Sequence, residues 1–324
     1  MIPASRQAGA ALLSILLIVA TLSVAAVMAT GAIARQTAIQ KLGARRAVAA
    51  WAARSAEAAA LASASDLVSA SRLPPTGDGA DRAQTVALPV EGGQVVLTMQ
   101  EQRPCFNLNT LGDPDPLVRE QRSAQLTLLL EELGVRGNEA DALIATLADW
   151  IDTDTVESPA GAEDTTYLSR EDGFRVANQP LRSLKELAAL PGFTADLRTA
   201  LAAHTCAAPG TDMAPLNLNA FTAADAPLVH AVTQGTLSLA EARRFIDARP
   251  ATGWASLEAV QTYAASRPAL EQALTGLPLT VRGEYFVGRG DVQLDAGSWP
   301  FRFILRAGTA APARIVWHTF GDAG

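Results

Sequence analysis

The residues best suited to chemistry in this sequence are carboxylates that crowd one short stretch near the middle of the chain. Six of them fall between positions 149 and 164, and they are Asp149, Asp152, Asp154, Glu157, Glu163 and Asp164. Oxygen ligands at alternate positions of a loop suit Ca²⁺, which takes about six to eight of them. Crowded carboxylates repel one another unless a cation or full solvation relieves them. The stretch is therefore either a calcium loop or a solvated acidic loop.

The acidic stretch does not follow the spacing of an EF-hand. If Asp152 takes the first position of such a loop, Asp154 takes the third and Glu163 the twelfth. Val156 then occupies the fifth position, and Glu157 replaces the glycine required at the sixth. We therefore predict a calcium-type loop with a geometry of its own.

Other reactive patterns are weak in this sequence. The histidines, His204, His230 and His318, are scattered, and neither a Gly-x-Ser-x-Gly elbow nor a glycine-rich phosphate loop is present. A metallohydrolase that used the acidic loop would lack obvious histidine ligands. The formal net charge of −7 disfavours a nucleic-acid partner, because phosphate binding needs a clustered basic face. We predict neither enzyme activity nor nucleic-acid binding.

The N-terminal segment contains no charged residue from Gln7 to Ala34. A helix of about 20 apolar residues crosses a bilayer, so this segment indicates membrane contact. A removable signal peptide, a plain anchor and a prepilin-type leader ending at Gly9 all compete for it. A signal peptide has a shorter apolar core, which favours retention of the helix. The basic residues in 35–54 outnumber Arg6, however, and charge counting alone would leave the C-terminal part in the cytoplasm.

The remaining patterns predict a helix, then strands, then helices, then strands. One long helix continues past the apolar segment and ends before Pro74-Pro75. Helical periodicity returns from Cys105 to about Ala273, with capping boxes such as that of Ser183 and Glu186. Strands on both sides of this block suggest one sheet interrupted by a helical insertion. The predicted strands are 84–88, 94–99, 279–287, 300–305 and 313–320.

Two paired features allow more than one interpretation. In an oxidising compartment Cys105 and Cys206 would form a long-range disulfide, and two buried free thiols are the alternative. The motif Asn-Leu-Asn occurs at 107–109 and again at 217–219. Asparagine side chains favour turns and helix N-caps, so a structural role is sufficient. The alternative is a helix-hairpin-helix module in a membrane-anchored, competence-type DNA-binding protein, which would need a Gly-x-Gly hairpin and basic surroundings.

Together these residues resemble the minor pseudopilin K of the type II secretion system, the general secretion pathway protein K family. The resemblance covers nearly the whole chain. Its motifs are the Arg6–Gly9 leader before an apolar helix, Asn107-Leu-Asn109, and above all Asp149-Trp-Ile-Asp-x-Asp154 with Gly161-Ala-Glu-Asp164 and Tyr167. It implies an α+β, pilin-like fold, in which a long N-terminal helix packs on an antiparallel sheet and a large all-helical domain is inserted into the sheet region.

The resemblance also implies a division of the chain and a metal site. We expect a leader at 1–9, the transmembrane part of the helix at 10–34, the rest of the helix with the first strands at 35–104, the inserted helical domain at 105–276 and the last strands at 277–324. The family binds a pair of Ca²⁺ ions in the inserted domain. The implied ligands are Asp152, Asp154, Glu163, Asp164, Asp149 and Asn178.

The implied function is that of a non-enzymatic subunit at the tip of a pseudopilus. The prepilin peptidase would cut after Gly9, and Ala10 would be N-methylated. Most pilin-like proteins carry Glu at the fifth mature position, where this chain has Ser14, and a subunit without that Glu suits the end of a filament. The expected partners are minor pseudopilins I and J, the inner-membrane assembly platform and exported proteins. A single inner-membrane span would leave the bulk of the chain in the periplasm.

Overall fold

The N-terminal part of the chain is one long helix, α1 (Ser5–Ala62). The computed structural model describes residues 5–74, 83–171, 173–295, 297–308 and 312–321, with side chains from residue 12 onward. The apolar part of α1 is long enough to cross a membrane, with a mean hydropathy of 2.6, and none of it is buried in protein. Gly9 and Ala10 lie within α1, whereas residues 1–4 of the predicted leader lie outside the described residues.

The sequence predicts that this helix continues unbroken towards Pro74, but the structure shows an interruption. It ends at Ala62, and a shorter helix, α2 (Ala64–Ala70), follows. At the break, the Ser63 hydroxyl donates to the carbonyl oxygens of Ala59 and Ala60, both at 3.2 Å. The backbone of Ser63 departs from helical geometry, with φ of −91° and ψ of 7°, and the helix is interrupted at this residue.

A five-stranded antiparallel sheet forms the second layer of the fold. The strands, in chain order, are β1 (Gln84–Val90), β2 (Gly93–Glu101), β3 (Phe106–Asn107), β4 (Thr205–Cys206), β5 (Leu216–Asn217), β6 (Leu279–Thr280), β7 (Tyr285–Leu294), β8 (Gly297–Arg306) and β9 (Arg314–Phe320). The large sheet has the order β1-β2-β7-β8-β9. The long N-terminal helix and the antiparallel sheet are therefore confirmed, as is the predicted 84–99 hairpin.

The C-terminal half of α1 packs on one face of this sheet. Its buried positions are alanines at helical spacing, and they are Ala49, Ala52, Ala53, Ala56 and Ala60. They contact a floor that includes Phe301 and Phe303. A Cβ at Gly288 would lie 2.3 Å from the Phe303 ring, and one at Gly290 would lie 2.1 Å from the Phe301 ring. Small residues on helix and strand thus leave space for aromatic rings between the two layers.

Between β2 and β7 the chain forms a second body with its own apolar core. Its helices are α3 (Pro116–Glu132), α4 (Asn138–Ile151), α5 (Asp164–Leu168), α6 (Ala195–Ala202), α7 (Ala226–Val232), α8 (Leu239–Asp247), α9 (Leu257–Ala264) and α10 (Pro268–Leu274), with 3₁₀ segments at Leu108–Gly112, Leu184–Ala188 and Ala223–Asp225. The prediction of helix alone is wrong in detail, because the parallel pairs β3–β4 and β5–β6 tie this body together.

A buried polar junction connects the two bodies and corrects one predicted strand. The Asn217 side-chain amide donates to the Ser71 carbonyl at 3.1 Å and to Glu101 Oε1 at 2.7 Å. The backbone N–H of Gly283 donates to Ser71 Oγ at 2.7 Å. A Cβ at Gly283 would lie 2.7 Å from Glu101 Oε1. The predicted 279–287 strand therefore breaks here, and its two ends belong to different sheets.

Candidate metal centre

The acidic loop begins at the C-terminus of α4, which is held by a buried aromatic cluster. The Trp150 and Tyr167 ring centroids are 5.4 Å apart, and those of Tyr167 and Phe174 are 5.3 Å apart. Trp150 therefore fixes the start of the loop, and Tyr167, in α5, fixes its end. Because both ends are packed into the core, the carboxylates between them have restricted positions.

Asp149, one of the predicted ligands, binds the backbone of the acidic loop. Its side chain is fully buried, and Oδ2 accepts hydrogen bonds from the backbone N–H groups of Ser158 at 3.1 Å and Ala162 at 2.9 Å. Oδ1 is buried and receives no hydrogen bond from the residues that the structure describes. One oxygen thus shapes the loop, and the other remains available as a ligand.

The loop requires a glycine at position 161, and the sequence analysis did not predict this. The only sign of it in the sequence was a glycine within an otherwise acidic loop. A Cβ at this position would lie 2.0 Å from Asp149 Oδ2. We expect Gly161→Ala to displace the carboxylate and to lower the free energy of unfolding by about 1–3 kcal/mol, as overpacking does. Gly43→Ala is the matched control. Gly43 is exposed on α1, and a Cβ there would have no described side chain or other element within 4 Å. Urea unfolding of both variants checks this, and equal stability would contradict it.

Three other predicted ligands lie close together. Asp152, Asp154 and Glu163 each offer an oxygen, and these oxygens lie within 4.8 Å of one another. The carboxylates of Asp152 and Asp154 also accept hydrogen bonds from backbone N–H groups two residues ahead, at 3.3 and 2.8 Å. Glu163 is only 3% exposed, and no residue in the described parts of the chain donates a hydrogen bond to either of its carboxylate oxygens. A buried carboxylate without a donor is costly unless a cation is present.

The two remaining predicted ligands differ from each other. The Asn178 side chain donates to the Asp154 carbonyl at 2.6 Å, and its buried Oδ1 has no partner within the described segments. Asn178 has φ of +44°, a conformation that asparagine tolerates better than most residues. Asp164 instead pairs with Arg175 at 2.8 Å and accepts from the Val176 N–H at 3.0 Å. Asp164 is therefore not brought into the group of three, and its role as a ligand stays a prediction.

The electrostatics of the group match its geometry. Burial, and then the neighbouring charge of Asp154, raises the pKa of Asp152 above its ordinary value. Burial, and then the charge of Asp149, raises the pKa of Glu163. Raised carboxyl pKa values mean that the charged forms are destabilised in the protein. Hard carboxylate oxygens of this kind fit Ca²⁺ better than a softer metal.

The raised pKa of Glu163 predicts a pH dependence. In the presence of a chelator, the folded state binds the Glu163 proton more tightly than the unfolded state does. The free energy of unfolding therefore falls as the pH rises from the pKa of Glu163 in the unfolded chain through its higher pKa in the folded chain. Glu163→Gln removes the effect. We therefore expect the variant to gain stability relative to the unsubstituted chain as the pH rises from about 4 to about 7. Thermal unfolding in chelator at several pH values measures this difference, and a constant difference would exclude the destabilised carboxylate.

The paired features of the sequence have structural roles. The structure joins Cys105 and Cys206 by a disulfide, with Cα atoms 5.7 Å apart. In each Asn-Leu-Asn motif both asparagines are buried. The Asn109 side chain bonds to backbone groups of Leu181 and Ala208, and the Asn219 side chain bonds to those of Trp254 and Val281. These amides therefore cross-link distant loops.

Comparison with known proteins identifies the family. Two protein-family models, both described as type II secretion system (T2SS), protein K, match this chain. They match residues 104–210 and 216–278. Both matches lie between β2 and β7, and the first includes the acidic loop. The type II secretion system protein K of Pectobacterium carotovorum subsp. carotovorum is 32% identical over 238 residues, which are 72% of each chain. The chain belongs to the type II secretion system protein K family.

Other members and a solved structure agree with this assignment to protein K. The protein K of Klebsiella pneumoniae is 33% identical over 223 residues, 67% of each chain. A chain in the crystal structure of the GspK-GspI-GspJ complex from enterotoxigenic Escherichia coli is similar with a TM-score of 0.66 and 25% identity. That match covers 88% of this chain and 99% of the other. As a protein K, the chain is a minor pseudopilin, and α1 fits a single-pass membrane anchor.

Proposed function

We propose that this chain is the tip subunit of a type II secretion pseudopilus and acts there without enzyme activity. The observation that carries the proposal is its likeness, along nearly the whole length of that chain, to a component of the GspK-GspI-GspJ complex. We propose minor pseudopilins I and J of the same system as its partners. The complex would initiate or cap the filament and aid the export of folded proteins across the outer membrane.

The shape and sequence of the chain support a terminal position. The body between β2 and β7 is a domain inserted into the pilin-like sheet in this proposal, and its bulk would not fit within a packed filament. At the other end, Ser14 stands where pilin-like proteins carry Glu, which is thought to neutralise the N-terminal amine of a neighbouring subunit. Without that carboxylate, the next position above this subunit has no counter-charge. Both features suit a subunit that begins a filament.

Processing and location follow from the same proposal. The prepilin peptidase would remove residues 1–9 and leave Ala10 as the N-methylated first residue. The apolar part of α1 would hold the chain in the inner membrane until the assembly platform extracts it. The bulk of the chain would lie in the periplasm. The disulfide between Cys105 and Cys206 supports this placement, because disulfides persist in oxidising compartments.

We also propose that the acidic loop binds calcium, with two ions as the family suggests. Asp152, Asp154 and Glu163 would form the centre of the site, with Asp149 Oδ1 and Asn178 Oδ1 nearby. The support is the convergence of three carboxylates, together with the buried oxygens of Glu163, Asp149 and Asn178 to which no described residue donates a hydrogen bond. When bound, the ion would neutralise the mutual repulsion of these carboxylates and fix the loop against α4. Its role would be structural, in keeping with a subunit that acts without enzyme activity.

Co-purification tests the assembly part of the proposal. The full chain, tagged at its C-terminus, is produced together with prepilin peptidase and minor pseudopilins I and J, and membranes are solubilised in mild detergent. We expect I and J to elute with the chain as one complex. The major pseudopilin of the same system, produced in place of I and J, is the control and should elute separately. Elution of the chain alone, or equal retention of the major pseudopilin, would contradict a tip complex.

A further inference from the structure

A cleft opens between the sheet and the neighbouring helical body, on the face of the sheet opposite α1. Its volume is about 380 Å³, within the range of about 300–1,000 Å³ typical of ligand pockets. The lining residues carry five cationic side chains, which are Arg103, Arg182, Lys185, Arg289 and Arg302. Glu101 is the single carboxylate among the described residues that line it, and it is held by Asn217. The cleft is thus locally basic in a chain of net charge −7.

Two of these cations face each other, and no described carboxylate pairs with either of them. Arg289 on β7 is directly opposite Arg302 on β8, and like charges in that relation are destabilising. Neither makes an ion pair with a carboxylate in the described parts of the chain. The nearest acid along β7, Asp291, accepts hydrogen bonds from Ser298 and Gln293 instead. Arg103 differs, because it pairs with Asp225 at 3.0 Å.

Arg302 shows the strain of this arrangement most clearly. Its Nε is buried and has no hydrogen-bond partner among the described residues, and its guanidinium lies over the Trp317 ring at 5.8 Å. Burial, and then the charge of Arg289, lowers the pKa of Arg302. An anion between the two guanidinium groups would neutralise the repulsion.

The remainder of the cleft favours a peptide over a small inorganic anion. Val287, Ile304 and Trp317 provide an apolar floor beside the two arginines. Trp317 belongs to β9, which is the last strand of the large sheet and pairs with β8 on one side. A strand at the edge of a sheet offers backbone groups to an extended segment, and neighbouring pockets receive its side chains. An occupant that carries both carboxylates and apolar side chains satisfies every part of this surface.

We infer that the cleft between β7–β9 and the helical body is a docking site for an extended acidic segment of another protein, with its carboxylates on Arg289 and Arg302. Apolar side chains of the same segment would cover Val287, Ile304 and Trp317. The inference does not depend on the filament position or on calcium. It assigns a binding role to a face of the sheet that packing against α1 leaves unused.

Peptide binding by the full chain in nonionic detergent tests this inference. The probe is a fluorescently labelled extended peptide of alternating Glu and Val, and its anisotropy is measured during titration with protein. We expect saturable binding that weakens with salt, as exposed charge pairing requires. Arg289→Gln and Arg302→Gln should each weaken binding at least about tenfold, the loss expected for a charged hydrogen bond. Arg136→Gln, an exposed position outside the cleft, is the control of equal charge change and should bind normally.

Several outcomes would overturn the inference. They are equal binding of a peptide with Gln in place of Glu, normal binding by both cleft variants, or displacement of the peptide by inorganic phosphate as readily as by unlabelled peptide. The last result would indicate a simple anion site. Thermal unfolding of each variant shows whether it is folded, and Arg289→Gln keeps the test decisive because Arg289 is exposed. If only Arg302→Gln unfolded, the Arg289→Gln titration would decide the matter.

Discussion

Removal of calcium should lower the melting temperature of the full chain by about 5–10 °C. Calcium at about 100 times its dissociation constant stabilises a folded protein by about 2.7 kcal/mol, and each kcal/mol shifts the melting temperature of a body this size by about 2–4 °C. The physical reason is the group Asp152, Asp154 and Glu163, whose oxygens lie within 4.8 Å of one another. Without a cation their repulsion opposes folding. Thermal unfolding in detergent, with calcium and with chelator, measures the shift.

A substitution separates this effect from general chelator effects. Asp154→Asn keeps the oxygen that accepts from the Val156 N–H but removes one charge from the group. It should abolish most of the calcium-dependent shift and make the chain more stable in chelator. Asp141→Asn, exposed on α4 and outside the group, is the control and should keep the full shift. An equal shift in all three proteins, or none in the unsubstituted chain, would exclude the site.

Loss of the disulfide should have an effect of similar or larger size. Cys105 and Cys206 are 101 residues apart, and closing a loop of about that length contributes roughly 4.7 kcal/mol in the chain-entropy description. We expect Cys105→Ser with Cys206→Ser to lower the free energy of unfolding by about 2–5 kcal/mol. The bond also joins the residue before β3 to the last residue of β4, so its removal should loosen that parallel pair.

Reductant provides the internal control for this prediction. Dithiothreitol should lower the urea midpoint of the unsubstituted chain to that of the double variant. It should leave the double variant itself unchanged. A urea midpoint of the unsubstituted chain that is insensitive to complete reduction, verified by thiol titration, would refute a stabilising role for the bond.

Features that depend on neighbouring residues in the chain were predictable. The capping boxes of Ser183 with Glu186 and of Ser238 with Glu241 are both present. They require only a hydroxyl and a carboxylate three residues apart. The Ser183 box opens a 3₁₀ segment and not an α-helix, since Pro191 and Gly192 follow closely. The hairpin between β1 and β2 was equally accessible, because Gly92 takes a positive φ of 76° in a tight turn.

Features that depend on distant residues were not predictable. The sequence shows that Asp164 carries a carboxylate, but Arg175 and the Val176 N–H determine where that carboxylate points. The need for Gly161 likewise appears only when Asp149 is placed beneath it. The strand pattern of 279–287 was broken by contacts with Ser71 and Glu101, which are about two hundred residues earlier. Local propensity cannot encode such partners.

The buried junction of Ser71, Glu101, Asn217 and Gly283 has a kinetic consequence. The Gly283 to Ser71 hydrogen bond spans 212 residues, and β2 meets β7 only after the chain between them has been enclosed. Closing so long a loop while it is unfolded is slow and entropically costly. We therefore expect the helical body to fold first and bring its two ends together. The pairing of β2 with β7 would then form late. A chain with a complete sheet would therefore be one whose helical body has already folded.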